Sequence, residues 1–255
     1  TVAVGHSALT ALTDGQYNTA VGFSALATNV SGDKITALGY QAGANYNPTA
    51  NYGNSVFVGH QAGLNVSTSR KSTIVGDLAV GSGVMTGHEN TIFGHVAGYD
   101  MTSCTHNTVV GNESGANLTS GSSNVALGSQ SLISDLLGTG STALGYAALN
   151  KQVNATSGDD YRTHNTGVGG YAGYYNVTGI GNTYIGYEAG FGTDGNSNSH
   201  NTAVGMDALR GITDGTRNVA VGSGCASLVQ DGDDNTLIGY DAGNVITNGL
   251  QNTII

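Results

Sequence analysis

The sequence is poor in charge, proline and large aromatic residues. It has no tryptophan, one proline and 24 charged residues out of 255, of which seven are basic. Nucleic-acid binding needs clustered Lys and Arg, so scattered basic residues and a net charge of −10 argue against a nucleic-acid partner. No apolar run reaches the roughly 18 residues that would cross a bilayer, and we expect no membrane insertion of this segment.

Cysteine is also scarce, because Cys104 and Cys225 are too few for a disulfide framework. Glycine, by contrast, contributes 42 residues, and 38% of the chain is apolar. A disordered chain of low hydrophobicity is normally rich in charge or proline, which this one is not. Abundant glycine together with β-branched residues indicates tightly wound β-structure.

One phrase repeats along the whole chain. NTAVGFSAL at Asn18–Leu26 returns as NTAVGMDAL at Asn201–Leu209, and aligning the chain on the glycine of this phrase gives fifteen copies. Of the fourteen successive spacings ten are 17 residues, and the others (20, 18, 24 and 19) are insertions. We call this residue the coil glycine. The coil glycines are Gly5, Gly22, Gly39, Gly59, Gly76, Gly94, Gly111, Gly128, Gly145, Gly169, Gly186, Gly205, Gly222 and Gly239, and the fifteenth copy begins at Asn252.

Each position of the phrase has a consistent character. The residue before the coil glycine is always apolar, the residue two places earlier is Thr or Val, and Asn often precedes that, as in Asn107 and Asn182. This alternation predicts a short strand in which stacked Val, Ile and Leu form a buried spine and stacked Asn form a hydrogen-bonded ladder. A second apolar residue seven or eight places after the glycine, followed by turn residues, predicts two short strands per coil.

The predicted fold is all-β, a parallel β-solenoid (β-roll) of about 15 coils with a 17-residue period. Residues 1–255 are expected to be one repetitive segment of a longer fibre protein. A coil this small cannot bury a core alone, but coils stacked roughly 4.8 Å apart can. The Thr or Val position has the same parity as the apolar spine, so that face extends beyond a thin single-chain core. A homotrimer around a three-fold axis would bury it, and a wider monomeric solenoid is the alternative.

The phrase Asn-Thr-Ala-Val-Gly-Tyr-x-Ala-Gly/Leu, as in NTYIGYEAG at Asn182–Gly190, resembles the head repeats of YadA-like trimeric autotransporter adhesins. It also resembles repeats of phage tail fibres that precede an intramolecular chaperone domain. The resemblance implies a left-handed parallel β-roll trimer. The adhesin unit is usually shorter, which implies a longer outer connection in this chain.

Function in repeat proteins is expected where the repeat is interrupted. The insertions are ANYNPTANYG at Ala44–Gly53, NKQVNATSGDDYRTH at Asn150–His164 and FGTDGNSNSH at Phe191–His200, and GYAGYYN adds a tyrosine cluster. Their aromatic and charged side chains suit a sugar or a protein receptor, although tolerated loops and aromatic stacking are the alternatives. The candidate receptor-binding residues are Tyr46, Tyr52, Asp159, Asp160, Tyr161, Arg162, Tyr171, Tyr174 and Tyr175.

No catalytic, metal or cofactor site is predicted. Glu188 and Asp207 lie one coil apart and could form a glycosidase pair, but Gln occupies the same position in other coils. His6, His60 and His95 share a position but are separated by two or three coils, so a shared metal ion is not expected. The expected function is therefore non-enzymatic: an extracellular spacer and attachment segment of a phage tail fibre or bacterial adhesin. A tailspike enzyme that degrades surface polysaccharide is the alternative.

Overall fold

The computed structural model describes residues 1–49, 52–153 and 162–255. The chain divides into two compact units, Thr1–Ser123 and Asn124–Ile255. Within each unit every coil contributes one short strand to a parallel sheet, which confirms the β-solenoid and its 17-residue period. The described residues contain no helix, and none of their segments meets the length and apolarity of a helix that crosses a membrane.

The strands are short and pair in chain order within each unit. The first unit contains β1 (Val2–Val4), β2 (Thr19–Val21), β3 (Thr36–Leu38), β4 (Val56–Val58), β5 (Thr73–Val75), β6 (Thr91–Phe93) and β7 (Thr108–Val110). The second unit contains β8 (Val125–Leu127), β9 (Thr142–Leu144), β10 (Thr166–Val168), β11 (Thr183–Ile185), β12 (Thr202–Val204), β13 (Val219–Val221), β14 (Thr236–Ile238) and β15 (Thr253–Ile254).

The insertions do not disturb the register of the sheets. Thr142 pairs with Thr166 across the longest spacing in the chain, just as Thr19 pairs with Thr36 across an ordinary one. Each repeat position therefore stacks on its equivalents, and added residues are accommodated outside the strands. Register is fixed by the phrase itself.

The face of the strand that points inward is opposite to the one predicted. From β2 to β14 the middle residue of each strand is buried, as are Ala20 and Phe57, and the flanking residues are not. The residue before the coil glycine, predicted to be the buried spine, lies on the outer face, where Leu38 is 49% and Phe93 55% exposed. The prediction was wrong because the alternation of residues along a strand defines two faces of the sheet but does not show which face points into the coil. The core is thin, so the position with many alanines points inward.

Large and small residues compensate for each other within a coil. Leu237 in the middle of β14 faces Gly243, the fourth residue after its coil glycine, where a Cβ would collide with the Leu237 side chain. In the coil of β12 the strand residue is Ala203, and the fourth residue after the glycine is Leu209, which is fully buried. The same core volume is therefore filled either from the strand or from the turn.

The predicted asparagine ladder is confirmed within each unit. The backbone N–H and the side-chain Nδ2 of Asn218 both donate to Oδ1 of Asn201, at 2.9 and 3.1 Å, and Nδ2 also donates to the Gly232 carbonyl at 2.7 Å. Asn107 and Asn90 make the same contacts in the first unit. The ladder satisfies backbone groups that would otherwise be buried without a partner.

The coil glycine is required by both its backbone angle and its neighbours. These glycines have φ between +130° and +148°, a region that other residues avoid. At Gly205 a Cβ would lie 2.5 Å from the carbonyl oxygen of Gly222 in the next coil. The close approach of successive coils thus depends on glycine at this position.

Outside the strands the described residues form turns, bends and isolated parallel bridges, so the second strand per coil was a wrong prediction for the described residues. Non-glycine residues in the left-handed region, such as Leu209 at φ +50° and Glu188 at φ +54°, bend the chain back toward the sheet. The second core position lies seven residues after the coil glycine. It holds Leu118 and Ile212 in some coils and buried Asn29 or Asp135 in others. Val30, eight residues after its glycine, is exposed.

Candidate receptor-binding site

An aromatic cluster in the second unit brings together three of the predicted site residues. The rings of Tyr174 and Phe191 stack at 5.5 Å, and Tyr175 packs edge-on against both, at 4.6 and 5.2 Å. Tyr171 contacts this cluster through Tyr174, with 5.6 Å between the two ring centroids. Phe191 comes from the insertion of the following coil, and parallel stacking places it beside Tyr174. The site therefore combines the tyrosine cluster and an insertion that are separate in the sequence.

The aromatic cluster borders a charged groove. The Arg210 guanidinium lies 5.6 Å from the Phe191 ring centroid, and its Nε contacts Oε2 of Glu188 at 2.5 Å and Oδ1 of Asp207 at 3.5 Å. The groove has a volume of about 470 Å³. It is lined by Tyr187, Glu188, Asp207, Arg210, Gly224, Ser227, Leu228 and Asp241. Aromatic faces beside carboxylates and a guanidinium offer both stacking and hydrogen bonds to a polyhydroxylated ligand.

Arg210 sets the ionisation of this groove. The hydrogen bond from Arg210 lowers the pKa of the Glu188 carboxyl, although partial burial opposes the shift. The same ion pair raises the pKa of the Arg210 guanidinium. The hydrogen bond between Tyr187 and Glu188 raises the pKa of the Tyr187 hydroxyl. Glu188 is therefore a carboxylate near neutral pH, able to accept hydrogen bonds but not to donate a proton.

Tyr46 does not belong to a receptor site. It was predicted to be exposed on an insertion, but its side chain is fully buried in the first unit. Its ring packs edge-on against Phe57 at 4.9 Å, and its hydroxyl bonds Ser55 Oγ at 3.2 Å and the Ser69 carbonyl. Burial raises the pKa of Tyr46 to about 12. The signal was in the sequence, since Tyr46 stands seven residues after its coil glycine, as Leu118 does.

The other predicted residues are spread over both units. Tyr52, in the first unit, is half-exposed, and the Arg70 guanidinium lies 4.7 Å from its ring centroid. Arg162, in the second unit, is exposed and its backbone forms a parallel bridge with Thr139. Asp159, Asp160 and Tyr161 lie outside the described residues. Among the described candidates, the structure brings together Tyr171, Tyr174 and Tyr175.

Aromatic residues also stack directly after the coil glycine. In the first unit His6, Phe23, Tyr40 and His60 form a column with ring separations of 5.2, 5.4 and 5.3 Å. Asp77 continues the column and contacts His60 Nδ1 at 2.8 Å and His95 Nε2 at 3.5 Å. Within the part of the chain that the structure describes, no group of three or more His, Cys, Asp and Glu side chains is arranged to hold a metal ion. Both cysteines are buried thiols that form no disulfide bond.

Comparison with models of known protein families, with curated proteins and with solved structures finds no match to this chain. The resemblance to adhesin heads and tail fibres therefore rests on the repeated phrase alone and stays a prediction.

Proposed function

We propose that this chain is a segment of a homotrimeric surface fibre, either a phage tail fibre or a trimeric adhesin. It acts outside the cell as a spacer and contributes to attachment to a receptor on the host surface. The observation that carries the proposal is the apolar outer face of the sheet in each unit.

That outer face is unusual for a parallel sheet. Parallel sheets are normally covered on both faces. Here the residue before each coil glycine is apolar and points outward, and Val4, Leu38, Phe93, Leu127 and Ile185 are 40 to 55% exposed. Because these residues repeat every coil, they form a continuous apolar row within each unit. A row of this kind supports burial against another copy of the chain.

The alternative of one wide solenoid would bury this row inside the coils of a single chain. The core within a coil is filled by the middle strand residue and a few turn residues, so nothing inside the described coils covers the outer row. Light scattering should give about three times the chain mass of 25.6 kDa. A mass of one chain at micromolar concentration would refute the trimer.

A pair of variants tests whether the outer row is the contact. Phe93→Lys places a charge in the row and should dissociate the trimer, because a buried unpaired charge is costly. Val84→Lys is the matched control, because Val84 is 61% exposed but lies outside the strands. Equal masses for the two variants would place the contact elsewhere.

The receptor contact is assigned to the aromatic cluster and its groove. Tyr174 and Phe191 offer stacked rings, and Glu188 and Asp207 supply acceptors for sugar hydroxyls. Replacing Tyr174 with Ala should reduce binding of the trimer to host cells while leaving its mass unchanged. Undiminished cell binding by this variant would remove the cluster from the attachment site.

A polysaccharide-degrading enzyme is not favoured by the state of Glu188. A glycosidase needs one carboxyl group with a raised pKa as general acid, whereas Arg210 lowers the pKa of Glu188. We expect no oligosaccharide release from host polysaccharide. Release that disappears in Glu188→Gln would overturn the non-enzymatic assignment.

A further inference from the structure

A second cleft, in the first unit, carries positive charge in an acidic chain. Its volume is about 270 Å³, and it lies where the end of the Ala44–Gly53 insertion meets the following two coils. Two of the seven Lys and Arg residues of the chain face it. It is lined by Tyr52, Asn54, Arg70, Lys71, His88 and Glu89.

The two cations of this cleft differ in their partners. Lys71 Nζ is paired with Glu89 Oε1 at 2.9 Å, and Oε2 of the same carboxylate contacts His106 Nε2 at 2.8 Å. Among the described residues no carboxylate is ion-paired with Arg70. Its guanidinium is held instead over the Tyr52 ring, 4.7 Å from the centroid, by a cation–π contact. The cleft therefore presents an oriented and unneutralised guanidinium.

His88 adds a second donor next to that guanidinium. The backbone N–H of Arg70 donates to Nδ1 of His88 at 3.1 Å. A backbone amide can only donate, so Nδ1 is unprotonated and the neutral ring carries its proton on Nε2. Burial, followed by the charge of Arg70, lowers the pKa of His88 and keeps the ring neutral.

Two donors consequently face the same space. His88 Nε2 lies 3.4 Å from Arg70 Nη2, and since both atoms carry hydrogen, neither can accept from the other. A single anionic oxygen between them would accept from both. The net charge of the cleft, with Lys71 and Glu89 paired, is that of Arg70 alone. This charge matches one carboxylate better than a phosphate dianion, which Glu89 would repel.

We propose that this cleft binds the carboxylate of an acidic sugar, such as a uronic acid residue of a surface glycan. One carboxylate oxygen bridges Arg70 and His88, and the sugar ring packs against Tyr52, whose side chain is half-exposed. The sugar assignment rests on the proposed attachment function, whereas the preference for an anion follows from the cleft itself.

The test is a titration of the full chain with sodium glucuronate at constant ionic strength, followed by NMR of the His88 ring nitrogens. Glucuronate should shift the Nε2 resonance saturably while Nδ1 stays unprotonated. Glucose should cause no shift, and inorganic phosphate should bind at least about tenfold more weakly. Arg70→Gln should weaken glucuronate binding about tenfold to a hundredfold, the range for a hydrogen bond to a charged group. Arg217→Gln is the matched control, because Arg217 is exposed and paired with Asp234 in the second unit.

Three results would overturn the proposal. They are the absence of a His88 shift, equal binding by wild type and Arg70→Gln, and phosphate binding as tight as glucuronate. The last would assign the cleft to small anions rather than to a sugar. Tyr52→Ala guards against a variant that fails to fold. It should weaken glucuronate binding more than acetate binding, because it removes the ring that packs against the sugar as well as the support of Arg70. A monomer that binds glucuronate would refute the trimer and keep this site, whereas a trimer whose His88 resonances do not move with glucuronate would keep the trimer and remove this site.

Discussion

The compensation between strand and turn residues predicts a strong energetic coupling. Leu237→Ala should destabilise the second unit by about 2–5 kcal/mol, the usual cost of a buried leucine. Gly243→Leu should cost about 1–3 kcal/mol or more, because its Cβ would collide with Leu237. The double variant should lose much less than the sum, since it recreates the Ala203 and Leu209 arrangement. The backbone permits this, with φ +66° at Gly243 and +50° at Leu209.

The assay is a double-mutant cycle on the free energy of unfolding, measured by chemical denaturation and circular dichroism. We expect the two substitutions to couple by at least about 2 kcal/mol, well above the additivity error for independent sites. Coils of repeat proteins can unfold in steps, so all four proteins are compared at the same transition. The reverse exchange, Ala203→Leu with Leu209→Gly, provides the control. Costs that simply add in both exchanges would refute the shared-volume explanation of the core.

Three further predictions concern the backbone and the buried polar groups. Gly205→Ala should cost at least about 2 kcal/mol more than Gly195→Ala in urea denaturation. Both glycines have a positive φ, but an added Cβ at Gly205 would collide with the Gly222 carbonyl, whereas no atom lies within 4 Å of an added Cβ at Gly195. Asn201→Ala should cost about 2–4 kcal/mol by the same assay, since several buried hydrogen bonds of the ladder lose a partner at once. A loss below about 0.5 kcal/mol is less than one hydrogen bond contributes and would contradict this role. Burial raises the pKa of Tyr46 to about 12 and raises the pKa of Tyr184 further, so both hydroxyls should stay protonated while exposed tyrosines ionise. The folded state should lose stability as the pH rises above 10.0, the ordinary pKa of tyrosine. Tyrosinate absorbance that titrates all tyrosines together in the folded state would contradict this.

The sequence predicted those features that depend on the repeat itself. The 17-residue period, the parallel register, the coil glycine and the asparagine ladder each recur often enough to be read directly, and the structure confirms them. The backbone angle that requires glycine at Gly205 recurs at the coil glycines, and the contact made by Asn218 recurs where successive coils both carry Asn. Repetition therefore converted weak local preferences into a definite fold.

The inward face and the site geometry could not be read in the same way. A three-residue strand with Thr, Ala and Val has two plausible faces, and only the volume available inside the coil decides that Ala20 points inward and Val21 outward. Tyr46 was assigned to a surface loop because it lies within the stretch Ala44–Gly53 that was identified as an insertion. The donors of Arg70 and His88 face each other because the two residues, 18 positions apart, lie in successive coils.

The buried polar irregularities have a consequence for how the coils find their partners. The coils of β12 and β13 are very similar in sequence. A strand that paired one whole coil out of place among such coils would lose little stability. Asp135 breaks this degeneracy, because its buried carboxylate accepts from Gln152 Nε2 at 2.7 Å, and Gln152 Oε1 in turn accepts from Asn165 at 2.9 Å. A chain misaligned by one coil would leave that carboxylate buried beside the wrong neighbour. The coils that carry Asp135, Gln152 and Asn165 therefore favour one alignment of the coils during folding. A single buried polar residue has the same effect on the alignment of a coiled coil.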